Sequence, residues 1–184
     1  MYIGKINSSN LALAIKTLKK HGVIVYPTDT AYALGGIFNS RKVIKKILGI
    51  KNRQDQKFTL IASSQNQVEK FFKLNRLEKK IVKKYWPGPL SLVVSEKFAV
   101  RVPKNKIAQT LARRVGQPLI ATSANLTGQP TPYNDQVVIK EFKNKKNQPD
   151  LILSAGRLKN IKTSTIIKVS EDKVKILRLG AIKF

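Results

Sequence analysis

Apolar runs in this chain do not exceed about five or six residues, and they alternate with segments in which apolar residues recur at every third or fourth position. Short continuous runs are typical of buried strands, and the longer spacing is typical of amphipathic helices. Helices alternate with strands early, whereas strands follow one another directly in the middle and at the end, which predicts a mixed sheet. We therefore expect one α/β domain over residues 1–184, with a twisted mixed parallel and antiparallel sheet and flanking helices.

Apolar spacing places the predicted helices at residues 10–20, 65–72, 76–85, 105–115 and 135–142, with a further helix that Asn39 or Ser40 caps and Gly49 ends. Short apolar runs place the predicted strands at 23–26, 58–62, 90–95, 98–102, 118–122, 151–153, 164–169 and 173–178. The strands at 90–95 and 98–102 are expected to pair with each other. Residues 28–36, which end in Gly35-Gly36, are predicted to form a polar loop.

The chain has no cysteine and a single histidine, His21. A cysteine-free sequence excludes disulfides, thiolate zinc sites and cysteine nucleophiles, and it is typical of a reducing cytoplasm. His21 directly precedes Gly22 at the end of the first predicted helix, a position that favours a structural capping role over a catalytic one. No apolar run approaches the roughly 20 residues that cross a bilayer, and the N-terminus lacks the apolar core of a secretory signal, so we expect a soluble protein without membrane contact.

Thirty-six basic residues against 10 acidic ones give the chain a formal net charge of +26. The basic residues are spread along the whole sequence, so the excess does not belong to a tail. A field this positive attracts nucleotides and RNA and accelerates their arrival in a salt-dependent manner. Most of the basic residues are lysine, however, and they accompany many isoleucine and asparagine residues, a mixture that biased base composition also produces. Charge therefore favours contact with a polyanion without proving it.

Three polar clusters adjoin apolar runs: Tyr26-Pro27-Thr28-Asp29-Thr30, Lys51-Asn52-Arg53 and Thr122-Ser123-Ala124-Asn125. Loops at strand ends are where α/β proteins place ligand-binding side chains. The clusters offer hydroxyls, an amide, an ammonium and a guanidinium without an obvious nucleophile or metal cage. Such a set suits the binding of a phosphate and the stabilisation of charge on it. Taken singly, each cluster is more typical of turn formers or of a solvated helix end.

Seven motifs occur together in the order of a known family. They are Pro27-Thr28-Asp29-Thr30-Ala31-Tyr32, Lys51-x-Arg53, Trp86-Pro87-Gly88-Pro89-Leu90-Ser91-Leu92, Val100-Arg101-Val102-Pro103, Ser123-Ala124-Asn125, Ser164-Thr165-Ile166 and Arg178-Leu179-Gly180. On these motifs the chain resembles, over nearly its whole length, the YrdC-like threonylcarbamoyl-AMP synthases of the single-domain, TsaC type. The resemblance implies a YrdC-like α/β fold with a basic concave cleft.

The resemblance also implies functional residues. The family's active-site tetrad, a Lys-x-Arg pair and a Ser-x-Asn pair, falls on Lys51, Arg53, Ser123 and Asn125. Its threonine contacts fall on Thr30, Tyr32 and Arg101, and its ATP contacts fall on Arg53, Ser123, Thr131, Ser164 and Arg178.

Two positions depart from the family pattern. Ala33 replaces the glycine usual in a Tyr-Gly-Leu-Gly run, and Gln54 replaces the proline usual after Arg53. The first change bears on local loop geometry and the second on the path of the ATP loop. Neither change removes a charged or hydroxyl-bearing group.

The implied activity is the synthesis of threonylcarbamoyl-adenylate and pyrophosphate from L-threonine, bicarbonate and ATP, for the threonylcarbamoyl modification of tRNA adenosine next to the anticodon. Magnesium would arrive on ATP, held mainly by the phosphates, with no metal site made by protein side chains. The implied partners are a downstream threonylcarbamoyl transferase complex in the cytoplasm and, as an additional contact, tRNA or other RNA.

The alternative is a non-catalytic RNA-binding module that grips RNA in the basic cleft, which the net charge of +26 supports. The sequence surroundings of the aromatic residues argue against this alternative. Phe71, Phe72, Tyr85 and Trp86 have apolar neighbours in the sequence, which predicts core packing rather than an exposed row of stacking rings.

Overall fold

Two mixed sheets and six helices make up the computed structural model of the protein, which describes residues 1–171 and 173–183. The helices are α1 (Ser8–Lys19), α2 (Arg41–Lys51), α3 (Gln65–Glu69), α4 (Arg76–Tyr85), α5 (Lys106–Val115) and α6 (Asp135–Phe142). The strands are β1 (Tyr2–Lys5), β2 (Ile24–Pro27), β3 (Tyr32–Gly35), β4 (Phe58–Ile61), β5 (Leu90–Val93), β6 (Phe98–Arg101), β7 (Leu119–Ile120), β8 (Thr122–Ser123), β9 (Leu151–Ser154), β10 (Thr165–Ser170) and β11 (Lys173–Arg178).

The strand order of each sheet interleaves distant parts of the chain. The first sheet has the order β1-β9-β2-β3-β8, and the second has the order β11-β10-β5-β6-β4-β7. Both contain parallel and antiparallel pairs, as the sequence predicts: β2 is parallel to β9 and antiparallel to β3, and β6 is parallel to β4 and antiparallel to β5. The expected pairing of the strands at 90–95 and 98–102 is thereby confirmed. The division into two sheets is not visible in the sequence pattern.

The chain crosses from one sheet to the other between β7 and β8, which the sequence predicts as a single strand at 118–122. The β7 strand pairs with β4 of the second sheet, whereas β8 pairs with β3 of the first. Gly35, the last residue of β3, permits this crossing, because a Cβ atom built there would lie 1.6 Å from the carbonyl oxygen of Ile120. Because of this crossing, Ser123 lies at the junction of the two sheets.

Each described helix begins directly after a residue that caps its N-terminus. The side chain of the capping residue accepts a hydrogen bond from a backbone N–H of the first turn of every described helix; these residues are Asn7, Ser40, Ser64, Asn75, Asn105 and Asn134. Four of the described helices are followed, within two residues, by a residue in the left-handed region: His21 (φ 61°), Asn52 (φ 49°), Gly116 (φ 87°) and Asn144 (φ 63°). His21 therefore lies at the end of the first helix, as expected, with its Nδ1 atom 2.8 Å from Ser40 Oγ.

Three local features differ from the expectations. The sequence pattern does not predict β1, and β3 occupies part of the segment expected to be a polar loop, so that β2 and β3 form a hairpin joined by residues 28–31. The sequences of β1 and β3, Tyr-Ile-Gly-Lys and Tyr-Ala-Leu-Gly, each contain glycine and little β-branched character, so neither segment is typical of a strand. The α2 helix continues through Gly49 to Lys51, because glycine weakens a helix without ending it and Asn52 takes the left-handed position instead. Lys51 is consequently a buried residue of the last helical turn.

One apolar cluster draws on both sheets and on the helices that cover them. Phe72, Tyr85 and Trp86 pack against this cluster as partly buried side chains, as expected. The expectation is wrong for Phe71, which is 39% exposed and contacts Phe38 edge to face. Within the described ranges, the helices are all too short or too polar to cross a membrane.

Candidate active site

A cleft of about 1150 Å³ is lined by residues of both sheets and of the loops that join them. Eight of the ten predicted site residues line it: Thr30, Tyr32, Arg53, Arg101, Ser123, Thr131, Ser164 and Arg178. The other two, Lys51 and Asn125, lie behind its wall and are hydrogen-bonded to each other, with Lys51 also bonded to Ser123. The fold thus brings together residues that are widely separated in the sequence.

Basic side chains outnumber acidic ones among the described residues of the cleft wall. The basic residues are Arg53, Lys57, Lys73, Lys97, Arg101, Lys168 and Arg178, and the acidic residues are Glu78 and Glu96. One of the two carboxylates is already engaged, since Glu78 accepts a hydrogen bond from the backbone N–H of Asn75 at the start of α4. A concave surface with this balance of charge attracts anionic ligands.

Arg101 ends β6 and reaches the hairpin turn between β2 and β3. Its Nη2 atom donates to Thr30 Oγ1 at 2.8 Å and to Thr28 Oγ1 at 3.3 Å, and its Nη1 atom lies 2.9 Å from Asp29 Oδ1. The residue is 4% exposed, so burial lowers the pKa of its guanidinium, and the neighbouring Asp29 carboxylate opposes that effect. This cluster holds a cation at the cleft wall by contacts that join the two sheets.

Lys51 occupies the last turn of α2, where its ammonium faces the loop after β8. The Nζ atom donates to the carbonyl oxygens of Ser123 (2.8 Å) and Asn125 (2.7 Å) and to Asn125 Oδ1 (3.3 Å). These three acceptors use all three N–H donors of an ammonium. Burial lowers the pKa of Lys51 to about 8; the charge of Arg53 reinforces this effect and that of Glu141 opposes it. The ammonium therefore fixes the backbone that carries Ser123 and Asn125.

Arg53 lies two residues beyond α2 and turns back over its own loop. Its Nε atom donates to the carbonyl oxygen of Asp55 at 2.7 Å, and its Nη2 atom donates to that of Lys57 at 2.6 Å. The guanidinium carbon is 4.8 Å from the centre of the Phe58 ring, a distance typical of cation–π contact. Because these partners leave Nη1 unbonded within the described chain, the guanidinium keeps donors for a ligand.

Tyr32 has a structural hydroxyl. The hydroxyl donates to the carbonyl oxygen of Gly156 at 2.8 Å and accepts from the backbone N–H of Ala155 at 2.9 Å. Burial raises the pKa of Tyr32 to about 12. The hydroxyl therefore ties β3 to the loop after β9, and the ring of Tyr32 is buried in the apolar core.

Ser164 and Arg178 line the cleft and are hydrogen-bonded to each other. Arg178 donates from Nε and Nη2 to the carbonyl oxygen of Ser164 and from Nη2 to its hydroxyl, which is 2.9 Å from the hydroxyl of Ser91. Burial and the charge of Arg101 both lower the pKa of Arg178. Gly180 allows the chain to pass here, because a Cβ atom at this position would lie 2.1 Å from the carbonyl oxygen of Thr163.

Thr131 belongs to a segment that separates the cleft from a second cavity of about 540 Å³, and it lines both spaces. Asn125 lines the second cavity, and its amide nitrogen donates to the carbonyl oxygen of Gln129 on the same segment. Lys51, Asn125 and Gln129 thus link α2 to the segment that carries Thr131. No group of three or more metal-binding side chains occurs in the residues that the structure describes.

Some residues of the site have no role assigned from the sequence. Thr28 and Asp29 belong to a polar cluster that the sequence singles out, so a signal for them exists. Lys57, Lys73 and Lys97 line the cleft but are indistinguishable in the sequence from the many surface lysines. Only the fold separates them from the rest.

Comparison with known proteins gives consistent results for sequence and structure. Residues 16–180 match the Sua5/YciO/YrdC family, which carries the description "Telomere recombination". The chain is 36% identical over 155 residues to the threonylcarbamoyl-AMP synthase of Psychromonas ingrahamii, an alignment that covers 75% of this chain and 81% of the relative.

Two solved structures superpose on the fold. The crystal structure of P. abyssi Sua5 complexed with L-threonine has a TM-score of 0.86 and 27% identity over 97% of this chain, which spans 56% of the length of that protein. The crystal structure of E. coli YciO has a TM-score of 0.83 and 25% identity, covering 97% of this chain and 94% of YciO.

Proposed function

Because the chain belongs to the Sua5/YciO/YrdC family, we propose that it is an enzyme that forms threonylcarbamoyl-adenylate and pyrophosphate from L-threonine, bicarbonate and ATP. The observation that carries the proposal is that Arg53, Ser123, Arg101 and Arg178, from four distant segments, line one cleft. Cations and hydroxyls in that arrangement suit a reaction in which negative charge develops on phosphate oxygens.

The proposed chemistry has two steps. The neutral amine of threonine attacks the carbon of bicarbonate, and loss of water leaves a carbamate. A carbamate oxygen then bonds to the α-phosphorus of ATP, and the bond from that phosphorus to the β-phosphate bridging oxygen breaks, releasing pyrophosphate. Alignment of the three substrates can contribute roughly 7 to 11 kcal/mol to the acceleration, and each well-aimed hydrogen-bond donor on the order of 3 kcal/mol.

The residues of the cleft divide this work. Arg53 grips the phosphates bidentately, and Ser123, Thr131, Ser164 and Arg178 bind ATP around it. Lys51 and Asn125 act from behind the wall, where they hold the loop of Ser123 in place and add positive charge. Magnesium enters with ATP as part of the substrate. Thr30, Tyr32 and Arg101 form the threonine side of the site, with Arg101 pairing with the substrate carboxylate.

Replacement of Arg101 by alanine should chiefly weaken threonine binding. We expect the KM for threonine to rise about 30-fold, the loss of a charge-assisted pair, while the KM for ATP stays near that of the wild type. Initial rates of pyrophosphate release at varied threonine and varied ATP separate the two constants. A variant whose requirement for ATP alone increases would contradict the assignment.

The pH profile should report on Lys51. Its ammonium must be protonated to hold three acceptors, so kcat/KM should fall as the pH rises above about 8, by about fivefold between pH 8 and 9. The unfolded state, with a lysine pKa of 10.5, binds more protons between pH 8 and 10.5, so the contribution of Lys51 to the free energy of unfolding rises over the same window. Activity and this stability contribution therefore change in opposite directions.

The Lys51→Arg variant gives the control for that profile. A guanidinium stays protonated across this range, so the residual activity of the variant should lack the alkaline decline. An identical decline in both proteins would assign it to another group.

The function itself is tested by omission of substrates. The purified protein should release pyrophosphate from ATP only when threonine and bicarbonate are both present, and the product should be an adenylate that contains labelled threonine. Release that is independent of threonine would contradict the proposal.

A second candidate, an RNA-binding module, is favoured by the hairpin of β10 and β11. Lys168 is directly opposite Lys175 in its register, although like charges at opposed positions are unfavourable, and Lys168 lines the cleft. Neither lysine forms an ion pair with any of the described residues. A protein that is inert with ATP and binds RNA with steep salt dependence would support this candidate instead.

The proposed activity also implies partners for the protein. The adenylate would pass to a threonylcarbamoyl transferase complex that acts on tRNA in the cytoplasm, and the cationic hairpin is the surface on which tRNA would make an additional contact.

A further inference from the structure

Asp29 is a carboxylate that the proposed mechanism does not use. It lies in the turn between β2 and β3, and its side chain is 12% exposed. Its Oδ1 atom is 2.9 Å from Arg101 Nη1, and its Oδ2 atom accepts a hydrogen bond from the backbone N–H of Lys104 at 3.0 Å. Asp29 is not part of the cleft wall, whereas Arg101 is.

From this arrangement we infer that Asp29 is a positioning residue, which holds the Arg101 guanidinium in the orientation that receives the carboxylate of an amino-acid substrate. The inference rests on the proposed function, because it concerns the threonine side of that site. Asp29 acts from behind: it contacts Arg101 on the side away from the ligand and anchors itself on the backbone after β6 through Lys104.

The hydrogen bonds of Arg101 explain why a positioning residue is needed. Its Nη2 atom donates to two threonine hydroxyls, which are neutral acceptors and leave the buried charge uncompensated. Asp29 is the only carboxylate that forms an ion pair with Arg101 in the described part of the chain. Without a counter-charge, the buried guanidinium would turn towards the solvent in the cleft. It would then lose the orientation in which it meets the substrate carboxylate.

The contact between Asp29 and Arg101 is an ion pair without an aligned hydrogen bond. Arg101 Nη1 and Asp29 Oδ1 are close but not aligned for a hydrogen bond, and neither atom has another partner in the described residues. The attraction between the two buried charges, rather than a directional hydrogen bond, therefore holds the guanidinium in place. The pair fixes the cation while Arg101 still lines the cleft, where a substrate carboxylate can meet its charge.

The test is a double-mutant cycle on threonine affinity, measured by isothermal titration calorimetry with the full chain below the melting temperature of every variant. We expect Asp29→Asn to weaken threonine binding about 10-fold and Arg101→Ala about 30-fold. The double variant should bind like Arg101→Ala alone, because Asp29 acts only through the guanidinium. Independent effects, which would multiply, would overturn the inference.

A second ligand separates positioning from general structural damage. L-threonine amide lacks the carboxylate that Arg101 recognises, so Asp29→Asn should weaken binding of threonine and leave binding of the amide unchanged. Equal weakening of both ligands would overturn the inference, as would wild-type affinity in Asp29→Asn. If Asp29→Asn does not fold, the threonine affinities of Arg101→Ala and of the double variant are compared, because the double variant carries neither charge. A difference between these two affinities would overturn the inference.

Asp150→Asn is the matched control. Asp150 also pairs with a cation, Lys46, at 2.5 Å and accepts from a backbone N–H, that of Val23, but it is not part of the cleft wall. The Asp150→Asn variant should bind threonine and threonine amide with the affinities of the wild type. A wild-type protein that does not bind threonine would overturn the proposed function and this inference together, whereas a wild type that binds and an Asp29→Asn variant that binds equally well would overturn the inference alone.

Discussion

Replacement of Arg53 by alanine should leave the fold intact and slow adenylate formation by at least about a hundredfold. The guanidinium makes its hydrogen bonds to its own loop, at the carbonyl oxygens of Asp55 and Lys57, and it lies over the ring of Phe58. Of these contacts only the ring of Phe58 belongs to the apolar core, and it keeps its other neighbours there, so the melting temperature should change little. What the variant loses is a cation that can meet phosphate oxygens as charge develops on them.

Two further variants make this result specific. Arg53→Lys keeps the charge without the bidentate fork, so we expect an intermediate rate. Arg76→Ala removes the same side chain from the exposed first residue of α4, which is not part of the cleft wall, and should retain the wild-type rate. Single-turnover measurement of threonylcarbamoyl-adenylate at saturating ATP and threonine compares them. Wild-type turnover in Arg53→Ala would remove this residue from the proposed role.

The fold was predictable where elements are long and capped. α4 and α5 have clear helical spacing and begin at Asn75 and Asn105, and their observed bounds fall close to the expected ones. β1 pairs with the distant β9, and β3 pairs with the distant β8 as well as with β2, so their stability comes from pairing rather than from local preference. The split of residues 118–122 between two sheets depends on the close approach at Gly35, which only the tertiary structure contains.

The sequence predicted that most of the candidate residues would lie close together, but it did not predict the contacts that each of them makes. Motif order placed Arg53, Arg101 and Ser123 together, and the structure puts all three in one cleft. The sequence could not show that the ammonium of Lys51 is fully used by backbone and amide acceptors, since that depends on α2 continuing past Gly49. Nor could it separate a buried partner such as Asp29 from an ordinary turn residue, because burial is a property of the fold.

Replacement of Gly35 by alanine should reduce the free energy of unfolding by about 3 kcal/mol, the upper part of the range for overpacking, because the obstacle is backbone rather than a flexible side chain. The added Cβ would lie 1.6 Å from the carbonyl oxygen of Ile120 and 2.6 Å from its carbonyl carbon. Relief requires that β7 move away from β3. The same movement displaces Ser123, which lies three residues beyond β7 and pairs with Ala33.

Gly49→Ala is the matched control, because it adds the same methyl group to the interior of α2, where the nearest atom outside the helix is the amide nitrogen of Asn147 at 3.7 Å. Alanine is the better helix former, so this variant should gain up to about 1 kcal/mol. Urea denaturation followed by circular dichroism gives both values, and the pyrophosphate assay reports on the site. We expect Gly35→Ala to lose activity even without denaturant, where it remains folded, because the crossing between β7 and β8 positions the loop of Ser123. A Gly35→Ala protein as stable and active as the wild type would show that the two sheets do not depend on this close approach.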